Sequence, residues 1–252
     1  MANGKIAQTA TWVNAGLVLE LMEDPNKQQK VYAYNLEIIF EDDYIAIINK
    51  PAGITVSGNK FKTIANALPH NLRKSTQPDA LSKPTPVHRL DNQTSGILLI
   101  AKTKTAQIEL GKQFENQTIK KKYCAIVIGE VLKSRLINSP IESKPSETNF
   151  EIIKVVKSLK YKELTCLKAF PKTGRTHQIR IHMANIGHPI LGDKLYGNPE
   201  TIHKGKGLFL CASEIKFLHP KSFLQTTIKI DVPQKFNSLL AREKRRWNTY
   251  NV

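Results

Sequence analysis

The 252-residue chain carries 38 lysine and arginine residues against 21 aspartate and glutamate residues, a formal net charge of +17. This excess favours a polyanionic partner such as a nucleic acid, because each phosphate contact releases condensed counterions, although a basic surface can also serve solubility alone. Apolar residues make up 40% of the chain, and no apolar run approaches the roughly 20 residues that cross a bilayer. Since the first residues also lack the layout of a secretion signal, we expect a soluble, cytoplasmic protein.

The beginning of the chain is uneven, and a regular pattern starts at residue 36. Residues 9–20 alternate weakly and predict one or two strands, and the polar stretch 22–30 is typical of a linker. Beyond it, strands are predicted at 36–40, 44–49, 97–102, 122–129, 151–157, 163–170, 208–217 and 226–230. Helices are predicted at 63–68, 103–117, 176–186 and 234–247.

The helix boundaries and one loop follow from local signals. Thr63 is the expected N-cap of the first helix and Pro69 its end, and Gly187 is suited to end the third helix. Residues 70–86 contain three prolines and predict a mobile, exposed loop. Strands outnumber helices and often follow one another directly, which predicts an α+β fold with a central mixed, mostly antiparallel sheet flanked by helices and loops.

No cofactor or metal site is predicted. The three cysteines, Cys124, Cys166 and Cys211, are far apart among apolar residues and form no CxxC pair, so we expect buried structural thiols. The spacing of His177 and His182 does not suit metal ligation. The chain contains no GxxxxGK[ST], GxGxxG or GxSxG motif.

Two segments, 88–96 and 173–182, concentrate polar groups beside apolar strands. Asp91 is a candidate nucleophile or acid/base group, although an isolated aspartate more often caps a turn, here with Thr94 or Ser95. Arg175 and Arg180 could bind phosphate, pair with a carboxylate or face solvent. From these residues alone, the chain is predicted to be an RNA-binding enzyme without a cofactor.

Four ordered segments resemble the motifs of one enzyme family. Residues 88–102, HRLDNQTSGILLIAK, resemble the HRLDxxTSGLLLxAK signature of RluA-type pseudouridine synthases. Residues 48–53 (INKPAG), 121–125 (KKYCA) and 173–193 (TGRTHQIRIH through GHPILGD) resemble three further motifs of that family in the same order. The resemblance spans about 36–230, and it implies the pseudouridine synthase fold with a cleft across the face of the sheet.

The resemblance also implies roles for particular residues. Asp91 would attack the sugar or assist cleavage of the glycosidic bond, Tyr123 would stack on the flipped base, and Arg180 would pair with Asp91 and keep it ionised. Arg89 would help to hold the target base out of its helix or fill the space that the base leaves. The remaining residues expected to bind substrate are His88, Thr94, Lys50, Arg175 and His177, of which Lys50 could equally shape the fold.

The expected partner is RNA, either large-subunit ribosomal RNA, which we favour, or transfer RNA, with no DNA, membrane, metal or cofactor and a monomeric enzyme. Two alternatives remain: a non-catalytic RNA-binding or ribosome-assembly protein on the same fold, and an N-glycoside hydrolase. Many relatives carry a small N-terminal RNA-binding domain. Residues 9–20 resemble only the last strands of that domain, so we expect a remnant and linker at 1–35 and the catalytic domain at 36–252.

Overall fold

The computed structural model describes residues 2–4, 6–8, 10–20, 31–197 and 205–250. The chain divides into a small unit, Met1–Lys30, and a large unit, Val31–Val252. In the small unit Ala2 and Leu19 form an isolated antiparallel bridge, and the strands predicted in 9–20 are wrong for the described residues of that segment. A strand needs a partner and a buried face, and Trp12 is 90% exposed there. The predicted linker at 22–30 lies outside the described residues.

A ten-stranded sheet forms the centre of the large unit in the part of the chain that the structure describes. The strands are β1 (Glu37–Glu41), β2 (Ile45–Lys50), β3 (Ala80–Pro86), β4 (Ser95–Thr103), β5 (Lys120–Ile128), β6 (Arg135–Ile137), β7 (Thr148–Ser158), β8 (Lys162–Pro171), β9 (Leu210–Leu218) and β10 (Gln225–Lys229). Their order is β1-β2-β4-β9-β5-β8-β7-β6, with β10 paired to β9 and β3 to β4. The β4–β9 pair is parallel and the other pairs are antiparallel. The predicted α+β fold with a mixed, mostly antiparallel sheet is confirmed.

The helices are α1 (Ile64–Asn71), α2 (Lys104–Glu115), α3 (Gln178–Asn185) and α4 (Gln234–Tyr250). The Thr63 hydroxyl accepts a hydrogen bond from the Asn66 backbone N–H at 3.2 Å, as an N-cap does. Pro69, however, lies inside α1 and does not end it. The last turn persists because the Asn71 side-chain amide donates to the Ala67 carbonyl at 2.8 Å, and the Leu72 N–H donates to the Leu68 carbonyl.

The exposed loop predicted at 70–86 is wrong over its second half, where β3 pairs with β4. Prolines are tolerated on a strand that pairs along one side only, and β3 pairs with β4 alone among the described strands. The short strand β6 was not predicted from the sequence. It has three residues, which is too short for an alternating pattern to register.

Apolar side chains cover both faces of the sheet. Along β2, Ala46 and Ile48 pack with α1, whereas Ile45 and Ile47 pack with α2, so this strand is buried on both sides. In the second half of the sheet, α3 packs on strands β5 and β8, and α4 packs on the opposite side, against a cluster that contains the three buried, free cysteines. Within the described residues, no helix combines the length and the apolar character that a membrane span requires.

Candidate active site

Asp91 lies in a turn just before β4 that is anchored to the loop after β2. The Lys50 ammonium donates to the Asn92 carbonyl at 3.2 Å, and the Gly53 N–H donates to the same carbonyl at 2.8 Å. The turn is closed by the Thr94 N–H, which donates to the backbone carbonyl of Asp91 at 3.1 Å. Because the backbone closes the turn, the Asp91 carboxylate is available for chemistry.

The strand that follows approaches its parallel neighbour closely. Gly96 pairs with Ala212 of β9. A Cβ atom added to Gly96 would lie 2.2 Å from the Ala212 carbonyl oxygen, and the backbone φ of Gly96 is +116°. Glycine is therefore required where β4 brings the Asp91 turn against the middle of the sheet.

Arg180 extends from α3 and is held by a buried carboxylate, that of Asp193. Its Nε and Nη2 atoms donate to the two Asp193 carboxylate oxygens at 2.7 and 2.8 Å. Burial opposes the charge of Arg180, but the hydrogen bonds and charge of Asp193, with the charge of Asp91, outweigh it and raise the pKa of Arg180. Burial likewise opposes the charge of Asp193, and its hydrogen bonds outweigh it, so the pKa of Asp193 is lowered.

Each carboxylate oxygen of Asp91 faces a different nitrogen. Oδ2 lies 3.6 Å from Nη1 of Arg180, and Oδ1 lies 3.8 Å from Nε2 of His177. Both distances are longer than a hydrogen bond. The Arg180 guanidinium and the His177 ring therefore lie near the carboxylate, but neither forms a hydrogen bond with its oxygens. Arg180 thus approaches Asp91, its predicted partner, without a hydrogen bond, and its hydrogen-bonded ion pair is with Asp193.

Tyr123 and Asp91 line the same cavity, of about 290 Å³. The pKa of Tyr123 is raised by burial and then by the negative charge of Asp91. The described residues that line this cavity also include Arg89, Thr94, Arg175 and His177. Asp91, His177 and Arg180 line a second cavity too, of about 480 Å³.

Two of the residues predicted to bind substrate, Lys50 and His88, form hydrogen bonds with backbone groups instead. The Lys50 side chain is fully buried, its ammonium donates to three carbonyl oxygens, and burial lowers its pKa to about 8. Lys50 is not among the described residues that line either cavity. His88 lines the first cavity, but its Nε2 accepts a hydrogen bond from the Leu99 N–H at 3.0 Å and its ring stacks on Phe114. Burial, and then the charge of Lys121, lowers the pKa of His88 to about 3, so its ring is neutral.

The loop before α3 is fixed by a residue to which the sequence assigned no role. The Gln178 side-chain oxygen accepts from the Thr173 hydroxyl at 2.6 Å and from the Arg175 N–H at 3.0 Å. The Arg175 guanidinium donates to the Pro145 carbonyl at 3.1 Å and is exposed. Thr94 is 2% exposed, Arg89 is exposed, and both lie in the cavity wall.

Asp193 is the main site residue that the sequence did not single out. It lies at the end of the 173–193 segment, and it reaches Arg180 only because the chain folds back after α3. The signal present in the sequence was a carboxylate following glycine within a segment dense in polar groups. Nothing in the spacing alone pairs it with Arg180.

Comparison with known proteins identifies the class. Residues 44–185 match the family described as RNA pseudouridylate synthase. The chain is 33% identical to ribosomal large subunit pseudouridine synthase D of Xylella fastidiosa over 96% of this chain and 80% of that protein. It is 38% identical to ribosomal large subunit pseudouridine synthase C of Vibrio parahaemolyticus over 85% of this chain and 71% of that protein. The structure of human RNA pseudouridylate synthase domain containing 4 superposes with a TM-score of 0.66 at 19% identity, covering 82% of this chain and 93% of that one, which supports the fold alone.

The protein is an RNA pseudouridine synthase, an isomerase that acts on uridines in RNA. Within that class the chain belongs to the RluA-type family, as its four ordered motifs predicted.

Proposed function

We propose that this enzyme converts specific uridines of large-subunit ribosomal RNA to pseudouridine, with Asp91 as its catalytic carboxylate. The observation that carries the assignment of Asp91 is its position in the first cavity, with Arg180 Nη1 at 3.6 Å from one oxygen, while the turn is closed through the Asp91 backbone carbonyl. The choice of ribosomal RNA rests on the names of the relatives from Xylella and Vibrio.

In the proposed reaction the target base leaves its helix and enters the cavity of Asp91. Unstacking costs a few kcal/mol, which an aromatic face offsets by stacking on the extruded base; Tyr123 lines the cavity for that purpose. The Asp91 carboxylate attacks the anomeric carbon or stabilises positive character there while the glycosidic bond breaks. The base turns and carbon 5 bonds to the anomeric carbon, which releases Asp91 where it had attacked. Carbon 5 then loses its proton to solvent and N1 takes up a proton, so the reaction is an isomerisation that needs no redox cofactor.

The other polar residues divide into two groups. Arg89, Arg175, His177 and Thr94 line the cavity, and we assign them to contacts with the target nucleotide or its phosphates. Lys50 and His88 are committed to backbone groups, so we assign them to the placement of the Asp91 turn and of β4.

Release of tritium from carbon 5 of uracil tests the reaction. Ribosomal RNA labelled at that position should release tritium with the wild-type protein and not with Asp91→Asn, while both bind RNA equally. A matched control is Asp79→Asn, which alters a carboxylate that accepts from the Thr105 N–H outside the cavity and should leave release unchanged. Free uracil in place of retained nucleoside would show a hydrolase, and binding without release from ribosomal or transfer RNA would show a non-catalytic RNA-binding protein.

We also propose that residues 1–35 contribute little to RNA affinity, so that the catalytic domain, 36–252, selects the substrate. The basic helix α4 and the segment 70–86 are the candidate contacts. Deletion of residues 1–30 should leave the dissociation constant for RNA within about twofold, at a fixed salt concentration. A large loss of affinity in a truncated protein that still folds would contradict this assignment. The monomeric state and the cytoplasmic location stay predictions.

A further inference from the structure

Tyr196 contacts both groups that face the Asp91 carboxylate. Its hydroxyl lies 3.0 Å from Nδ1 of His177, and its ring lies 5.1 Å from the guanidinium carbon of Arg180. Its own backbone N–H donates to Asp193 at 3.1 Å. The Tyr196 side chain does not line either of the two cavities among the described residues, so it acts on the site through its neighbours.

Two groups bear on which nitrogen of His177 carries the proton: the Asp91 carboxylate, which faces Nε2, and the Tyr196 hydroxyl, which lies at Nδ1. A neutral imidazole has one N–H and one acceptor nitrogen, whereas a phenol can donate or accept. Nε2 of His177 faces the Asp91 carboxylate at 3.8 Å, and a carboxylate attracts an N–H and repels a lone pair. The favoured arrangement therefore has the proton on Nε2, with Nδ1 accepting from the Tyr196 hydroxyl.

The backbone conformation of His177 indicates that the surrounding contacts hold this residue in place. Its φ is +56°, in the left-handed region, directly before α3. A residue other than glycine adopts this conformation at a cost in free energy, which persists where the surrounding contacts impose it. At His177 those contacts include the Tyr196 hydroxyl and the edge of the Tyr196 ring, whose centroid lies 5.6 Å from that of the imidazole.

We propose that Tyr196 is a positioning residue, which fixes His177 as the Nε2–H tautomer facing Asp91 and supports the guanidinium of Arg180 through its ring. The proposal rests on the proposed catalytic role of Asp91. It assigns the hydroxyl of Tyr196 to His177 and the ring of Tyr196 to Arg180, and these two functions can be separated by substitution.

The first test is independent of activity. Long-range ¹⁵N–¹H correlation spectra of the full chain report which imidazole nitrogen is protonated, at about pH 8.5, above the ordinary pKa of histidine. The protein has seven histidines, and the signals of His177 are those absent in His177→Gln. We expect Nε2–H in the wild type and a mixture of tautomers in Tyr196→Phe. Protonated Nδ1 in the wild type would overturn the proposal.

The second test separates catalysis from binding. Tyr196→Phe keeps the ring and removes the hydroxyl, so kcat for tritium release should fall about tenfold, the worth of one hydrogen bond, with the KM for RNA unchanged. The matched control is Tyr44→Phe: Tyr44 also donates a hydrogen bond, to Gln77 at 2.9 Å, and also lies edge-on to a histidine, His219. That variant should keep the wild-type kcat.

A double-mutant cycle completes the test. If Tyr196 acts through His177, Tyr196→Phe should lower kcat no further in a His177→Gln background, and multiplicative effects would refute the proposal. Failure of the proposed function has a different signature, because wild-type protein would then release no tritium while the spectra still showed the Nε2–H tautomer.

Discussion

Replacement of Asp193 by asparagine should weaken both the fold and the reaction. The Asp193 side chain is fully buried and Arg180 is 6% exposed at its side chain, so the change leaves a buried guanidinium without its bidentate carboxylate. Removing one partner of a buried ion pair costs about 3–5 kcal/mol. Asparagine keeps the shape of the side chain and one acceptor, so we expect a cost at the lower end, about 3 kcal/mol. For a chain of this size, 1 kcal/mol shifts Tm by about 2–4 °C, so Tm should fall by about 6–12 °C.

The effect on catalysis follows from where Arg180 goes. Once Asp193 no longer holds it, Arg180 can close the 3.6 Å gap to Oδ2 of Asp91 and form a charge-assisted hydrogen bond, which makes the carboxylate a weaker nucleophile. We expect kcat for tritium release to fall at least about tenfold, or 1.4 kcal/mol in the barrier. The KM for RNA should change little, because the Asp193 side chain is fully buried.

Glu41→Gln is the matched control for Asp193→Asn. Glu41 pairs with Lys102 at 2.6 Å, and their side chains are 10% and 3% exposed. This pair is buried to a similar degree but lies at the opposite end of β4 from the Asp91 turn, and the strand from Ser95 to Lys102 spans about 23 Å. Its loss should lower Tm and leave kcat intact at temperatures where both variants are folded. Unchanged kcat in Asp193→Asn, or an equal loss of kcat in Glu41→Gln, would refute the reasoning.

Three further variants test other parts of the site. Burial lowers the pKa of Lys121, in the cavity wall, to about 8, so its positive charge is present at about pH 7 and lost by about pH 9. RNA affinity should therefore fall about threefold or more between these pH values in the wild type. It should not fall in Lys121→Arg, which keeps its charge. Gly96→Ala should lower the free energy of unfolding by about 3 kcal/mol in urea melts, because its Cβ would meet the Ala212 carbonyl. Lys50→Met should lower kcat with RNA binding retained, because the Asn92 carbonyl beside the catalytic turn loses its ammonium donor; equal kcat would contradict the positioning role.

The sequence predicted most of the sheet, and eight of the nine expected site residues, all but Lys50, line the first cavity. Strands with continuous apolar runs, such as β4, carry a local signal that does not depend on their partners. The segment that became β3 carries none, since its prolines are compatible with a strand only after β4 offers an edge. Pro69 misled for a related reason: the turn after it is held by the Asn71 side chain, a contact that a helix-ending rule does not include.

The candidate site was predictable as far as its motifs reach. Asp91, Tyr123 and Arg180 lie in three separate segments, and the fold brings all three to the wall of the same cavity. The partner of Arg180 was not predictable, because Asp193 reaches it only after the chain has turned at Gly187 (φ +84°, the predicted left-handed helix end) and returned beside α3.

Arg180 and His177, whose nitrogens face Asp91, are both held by the short segment that contains Asp193 and Tyr196. A change at Asp193 should affect both groups, whereas loss of the Tyr196 hydroxyl should affect only His177. Asp193 binds Arg180 and also accepts the backbone N–H groups of Leu195 and Tyr196, so it fixes the backbone from which the Tyr196 ring projects. Weakening Asp193 should therefore disturb the tautomer of His177 as well as the placement of Arg180. Removing the Tyr196 hydroxyl leaves the Asp193–Arg180 pair intact, because that pair uses no atom of the Tyr196 side chain. Spectra of His177 in Asp193→Asn should consequently show mixed tautomers, whereas Tm in Tyr196→Phe should stay near that of the wild type; a single tautomer in Asp193→Asn would show that the two supports are independent.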